Sequence, residues 1–129
     1  MPLTFDPQYF VTKFLKDEDT FSREIIGLIE TKRIERVVNY FLQELSENYN
    51  YSDAFALGAI CAYYSEPLHE FQNILLDPSK SEIIKRGIVT SLRVSAKYNF
   101  KAFEIYNYLK GLASKGNKEA NMSLNFIID

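Results

Sequence analysis

The chain has 129 residues and a formal net charge of −2; 47% of its residues are apolar and 25% charged. This is the size and composition of one globular domain, which excludes a disordered chain. One Cys and one His exclude an intramolecular disulfide and a Cys/His zinc site, which takes about four such ligands.

Hydrophobic spacing predicts an all-α chain. The clearest stripe is Ile34, Val37, Val38, Phe41, Leu42 and Leu45, one face of a 3.6-residue helix. No segment alternates apolar and polar residues around a hairpin dipeptide. Punctuation predicts seven to eight short helices in a single domain over residues 1–129. Asp6-Pro7 starts the first, with Phe10, Val11, Phe14 and Leu15 inward. The acidic turn Asp17–Thr20 opens the second, which carries Ile25, Ile26, Leu28 and Ile29 inward. The third covers about 32–47 and joins the second with only a bend near Thr31.

Ser52 is the expected cap of a fourth helix, rich in Ala54, Ala56, Gly58, Ala59, Cys61 and Ala62. Small side chains let neighbouring backbones approach, so this helix is expected at the centre. Glu66-Pro67 starts a fifth helix that ends at Leu76. Ser79 with Glu82 matches a capping box for the sixth, with Ile83, Ile84, Ile88 and Leu92 inward. Asn99 caps the seventh, whose expected apolar face is Ala102, Phe103, Tyr106, Leu109 and Ala113. Ser114-Lys115-Gly116-Asn117 is a stop followed by a new cap. The eighth carries Met122, Leu124, Phe126 and Ile127.

Charge is unevenly laid out. Residues 37–79 hold six acids and no Lys or Arg, whereas residues 80–118 hold nine bases and two acids. The acidic stretch also holds five of the nine tyrosines. Tyrosine brings stiff, amphipathic contact area to interfaces, and carboxylates beside it suit a Lys- and Arg-rich partner. The partner-binding candidates are therefore Glu44, Glu47, Tyr49, Tyr51, Asp53, Tyr63, Tyr64, Glu66 and Glu70. The competing reading makes the acids a solvated face and Tyr40, Tyr63 and Tyr64 half-buried core. Arg86, Arg93 and Lys97 stand at i, i+7 and i+11 along the sixth helix, an alternative anion-binding stripe. A pI near 5.5 argues against nucleic acid. Pairing of the acidic stretch with the basic one of a second copy is a further alternative and would give a homodimer.

Leu75–Glu82 lies over Leu112–Glu119 at an offset of 37: a leucine-bearing helix end, a polar turn, then an acid opening the next helix. Residues 74–98 (ILLDPSKSEIIKRGIVTSLRVSAKY), a helix end, Asp-Pro, then a helix with a basic residue, Arg86, after its start, resemble a HEAT-type unit, and the terminal ANMSLNFI is similar to the second half of a Sel1/TPR-type hairpin. The resemblance covers about residues 66–129. It implies stacked antiparallel hairpins and a binding scaffold; an irregular helical bundle is the other architecture the helices permit. In size, single helical domain and aromatic-acidic composition, the chain also looks like immunity partners of contact-dependent growth-inhibition toxins. That likeness implies a bacterial protein that covers the active site of a cationic, nuclease-type toxin domain.

Reactive residues are sparse. His69 is the only imidazole, Cys61 sits among alanines as a small core residue would, and the five glycines form no phosphate-cradling loop. The expectation is a non-enzymatic protein without cofactor or metal. No basic leader precedes a long apolar run, and no stretch approaches 18 apolar residues, so a cytoplasmic chain with no membrane partner is expected. The first function to test is toxin neutralisation. A helical adaptor that grips a peptide or partner helix is the alternative, and an anion or nucleic-acid binder the third.

Overall fold

A computed structural model describes residues 4–127 of the chain; Met1–Leu3, the start of the segment read for a leader, lie outside the described residues. Eight helices follow in order: α1 (Pro7–Lys16), α2 (Glu18–Glu30), α3 (Ile34–Glu47), α4 (Tyr51–Cys61), α5 (Leu68–Leu76), α6 (Glu82–Ala96), α7 (Phe100–Ser114) and α8 (Lys118–Asn125). No strand occurs among the described residues. The all-α expectation holds, and the helix pairs are compatible with a repeat-like arrangement.

Capping chemistry sets most boundaries. The Asp6 carboxylate accepts from Gln8 N–H at 3.0 Å with Pro7 at the first helical position, and Asp17 accepts from Thr20 N–H at 3.2 Å. Asn99 and Asn117 cap α7 and α8. Two expected caps move. Asn50, not Ser52, caps α4, its side-chain oxygen accepting from Asp53 N–H at 3.1 Å. Ser81, not Ser79, caps α6, because Ser79 is held in the preceding turn, donating from both its N–H and its hydroxyl to Asp77.

The expected bend between α2 and α3 is a complete stop. Lys32 adopts φ +58°, its N–H bonds Ile29 C=O at 3.0 Å, and Arg33 N–H reaches Leu28 C=O at 2.9 Å. This is a Schellman motif. The stop after α7 repeats it: Gly116 has φ +92°, Gly116 N–H bonds Ala113 C=O and Asn117 N–H bonds Leu112 C=O. Glycine meets that backbone without a Cβ clash, and lysine does not.

Helix α4 is the centre. Every residue from Ala56 to Ala62 is buried, and α1, α3 and α6 pack on it. It runs parallel to α6: the Ser91 hydroxyl donates to Ala54 C=O, the Ser95 hydroxyl to Gly58 C=O, and the Asn99 amide to Cys61 C=O, so partners advance together along both helices. The seam is close because a Cβ at Gly58 would lie 2.7 Å from Ser91 O. Around it, Phe10, Phe14, Phe21 and Phe41 make edge-to-face contacts that complete the core.

Four expected inward residues turn outward: Leu15 on α1, Ile26 on α2, Ile83 on α6 and Phe103 on α7. Each lies at the rim of a stripe narrower than its apolar composition suggested. On α7 the buried positions are Ala102, Ile105 and Leu109, and Phe103 is about 100° around the helix from Ala102. Lys85, in contrast, is fully buried; its ammonium pairs with the Glu119 carboxylate at 3.3 Å, tying α8 to α6. The Ser123 hydroxyl adds a bond to Leu75 C=O at 3.2 Å.

Candidate functional site

A groove of about 650 Å³ lies beside the α4–α6 seam. One wall is a single stripe of α6: Thr90, Arg93, Val94 and, at its C-cap, Lys97, at i, i+3, i+4 and i+7. Tyr51 and Phe55, one turn apart on α4, form part of the other side. Phe14 and Leu15 of α1, Tyr49, Tyr98 and Ile127 complete the lining. Five of these residues are aromatic, two are cationic and none is acidic. The parallel run of α4 and α6 sets the two helical rows side by side, and the bonds from Ser91 and Ser95 hold them there.

Aromatic packing shapes this groove. The Tyr98 ring meets Phe14 edge-on at 4.9 Å, Phe55 meets Phe14 at 6.0 Å, and Tyr51 tilts against Phe55 at 5.9 Å. Tyr51 remains 59% exposed and Leu15 65% exposed, so much of the lining is accessible. Next to the groove, the Arg86 guanidinium lies 4.1 Å from the centre of the Tyr49 ring, a cation–π contact. Tyr49 and Arg86 also line an adjoining hollow of about 340 Å³ with Asn48, Glu82, Ile83 and Phe126.

The nine partner-binding candidates do not share one face. Tyr49 and Tyr51 join the cationic groove with Arg93 and Lys97. Glu66, Glu70 and Tyr64 instead meet Glu35 in a separate hollow of about 290 Å³ over Val38, Leu42 and Pro67. Glu44 lies in the field of Asp53 and Tyr40, and Glu47 accepts from the Gln43 amide at 2.8 Å. Helix arithmetic explains the split: Glu35 and Glu44 are nine residues apart on α3, about 180° around its axis. The acids therefore flank α3 on opposite sides.

Two phenols are structural donors. Burial first, then a hydrogen bond to Glu66 at 2.9 Å, pushes the Tyr64 hydroxyl up to about 12. Burial and a hydrogen bond to Glu18 push Tyr63 up as well. Both phenols stay protonated at neutral pH and tie their loop to a carboxylate. Burial also disfavours the charged form of Asp53, with Glu44 adding to the effect.

Reactive groups are dispersed. Cys61 is fully buried, and burial pushes its thiol up, away from the thiolate. His69 is exposed on α5. Among the described residues, no group of three His, Cys, Asp or Glu side chains is placed to hold a metal, and no helix is long and apolar enough to cross a membrane.

Sequence reasoning missed Phe14, Leu15, Phe55, Thr90, Val94, Tyr98 and Ile127 as groove residues. The α6 row had a readable signal in its i, i+3, i+4, i+7 spacing. The contributions of α1 and the C-terminal segment had none, since they depend on tertiary placement. No protein-family model, curated protein or solved structure matches the chain.

Proposed function

We propose that this protein is a non-enzymatic binding module that receives a segment of a partner protein in the groove beside the α4–α6 seam. The carrying observation is the lining: a broad, accessible trough with aromatic and aliphatic walls and two cations on one side. Aromatic residues and arginine dominate binding energy at protein interfaces. The adaptor reading, with a peptide or partner helix held on a concave face, fits this trough better than toxin neutralisation by one continuous acidic patch, because the acids fall on two flanks of α3.

A photo-crosslinking residue placed at Tyr51 and, as a control, at Asn107 on the outer side of α7 tests the proposal in the source cells. Adducts from position 51 that are absent from position 107 support it. No adduct at 51, or the same adducts from both positions, overturns it.

The Glu35, Glu66 and Glu70 hollow favours a second reading: a cationic toxin domain bound and occluded by that smaller surface. Its three carboxylates surround Tyr64 over an apolar floor, an arrangement suited to the stem and head of a Lys or Arg side chain. Crosslinks from position 70 to a basic partner, lost on Glu66→Lys, are the expected result for that reading.

A further inference from the structure

We propose that the outer face of α7 joins two copies of this chain, antiparallel, about a two-fold axis at Asn107.

Phe100, Phe103, Asn107, Gly111 and Ser114 fall within a sector of about 80° on α7, and all are exposed. This stripe lies opposite the buried row of Ala102, Ile105 and Leu109. Its first half is bulky: the Phe100 and Phe103 rings lie 6.4 Å apart, 74% and 46% exposed. Its second half is small, ending in Gly111 and Ser114. Nothing among the described residues calls for glycine at 111. Its φ is not positive, a Cβ there would meet nothing within 4 Å, and glycine costs a helix about 1 kcal/mol against alanine. A bare backbone on an exposed helix face suits the close approach of a bulky group from outside.

A reversed copy supplies that group. With the axis at Asn107, Phe103 stands opposite Gly111 of the second copy and Phe100 opposite its Ser114, and symmetry repeats both pairs. Charge matches in the same register. Glu104 and Lys115 lie about 20° apart on one flank of the stripe, and both are exposed. Across the axis, Glu104 and Lys115 of the second copy are about 7.5 Å apart along the helix direction. Side chains lean toward the N-terminus of their own helix, and here the two leans converge. Two Glu–Lys pairs therefore flank the seam. Lys110 is held aside, its ammonium 5.0 Å from the centre of its own Tyr106 ring. A parallel copy would set ring against ring and like charge against like, and a partner of one charge sign would match only Glu104 or only Lys115. From Phe100 to Ser114 the stripe rises about 21 Å. One helix face of that length is smaller than a standard interface, so the dimer is reversible.

Sedimentation equilibrium of the full chain, up to millimolar concentration, tests the proposal. A reversible monomer–dimer equilibrium is expected. Phe103→Ala and Gly111→Gln are each expected to weaken it by about tenfold or more, with circular dichroism showing that both variants remain folded. Glu104→Lys and Lys115→Glu are each expected to weaken self-association by about tenfold. An equimolar mixture of those two variants is expected to dimerise again, because each then offers the charge that the other lacks. In the purified chain at the same concentrations, a photo-crosslinking residue at position 107 is expected to yield self-adducts. A chain that stays monomeric at every concentration overturns the proposal, as does a dimer indifferent to Phe103→Ala and Gly111→Gln. A charge-swapped mixture that associates no better than its components, or an absence of self-adducts from position 107, overturns it as well.

Discussion

Helices α4 and α7 are both rich in apolar side chains, yet one is enclosed and the other lies at an edge. In α4 the apolar residues are mostly small, and α1, α3 and α6 close around them. In α7 the buried row is Ala102, Ile105 and Leu109, while Phe100, at 74% exposure, together with Phe103 and Tyr108, lies open. Apolar content alone does not determine depth. Small residues permit backbone approach from several sides, and bulky rings spread around a helix keep neighbours to one face.

Truncation makes the contrast largest. Leu57 on α4 is fully buried, so Leu57→Ala removes packing and leaves a cavity, at an expected cost of about 2–5 kcal/mol. Phe103→Ala on α7 removes a larger side chain but is expected to cost less than about 1 kcal/mol, because its ring is already half in water. Urea denaturation followed by circular dichroism measures both. Equal losses would erase the distinction between centre and edge.

The two helices also differ in how they take the same methyl group. A Cβ at Gly58 meets the Ser91 carbonyl oxygen and Val94 Cβ, each at 2.7 Å, whereas one at Gly111 meets nothing within 4 Å. Gly58→Ala gains about 1 kcal/mol of helix propensity but forces the α4–α6 seam apart, giving an expected net loss of about 1–2 kcal/mol. Gly111→Ala keeps the propensity gain and is expected to stabilise by about 0.5–1 kcal/mol. A stabilising Gly58→Ala would mean that the seam is looser than the serine hydrogen bonds require.

Helix stops provide a smaller pair of opposite signs. Lys32 and Gly116 occupy the same left-handed position of two Schellman motifs. Lys32→Gly relieves about 1–2 kcal/mol of backbone strain but adds freedom to the unfolded chain, so the expected gain is about 0.5–1 kcal/mol. Gly116→Ala introduces that strain and is expected to lose about 1 kcal/mol. The same denaturation measurement checks both, and a destabilised Lys32→Gly would show that the lysine side chain makes a contribution exceeding the strain.

These contrasts show what the sequence made legible. The α3 stripe, the Asp6, Asn99 and Asn117 caps, the Gly116 stop and the central place of α4 all follow from local rules: 3.6-residue periodicity, side-chain acceptors, left-handed glycine and small-residue packing. The rims of the stripes did not, because the exposure of Leu15, Ile26, Ile83 and Phe103 depends on how far each neighbouring helix reaches. The site was legible only in pieces. Tyr49, Tyr51, Arg93 and Lys97 stood out as tyrosines and cations, but their meeting required α4 and α6 to run parallel, and charge counting along the chain cannot show that. The same counting merged Glu44 with Glu66 and Glu70, although the fold sets them on opposite sides of α3.

The smallest expected effect concerns caps rather than packing. α4 and α7 begin at Asn50 and Asn99, which carry no titrating charge, whereas α2 begins at Asp17. Hydrogen bonds from the Thr20 hydroxyl and backbone N–H, with Lys13 and Arg23 nearby, hold the Asp17 carboxyl below its ordinary value of 3.8. Above pH 3.8 the carboxylate is ionised in both folded and unfolded chains, and its contribution to stability is fully present. As pH falls from 3.8 through the lowered folded value, the unfolded chain takes up the proton first and the contribution is lost. Asp17→Ser keeps an oxygen acceptor for Thr20 N–H but removes the titration. Urea midpoints measured from pH 5 to pH 2 are expected to fall less steeply for Asp17→Ser than for the unsubstituted chain. The difference should survive in 0.5 M salt, since hydrogen bonding rather than the distant cations is the larger cause. Superimposable pH profiles would show that the α2 start is as indifferent to acid as the starts of α4 and α7.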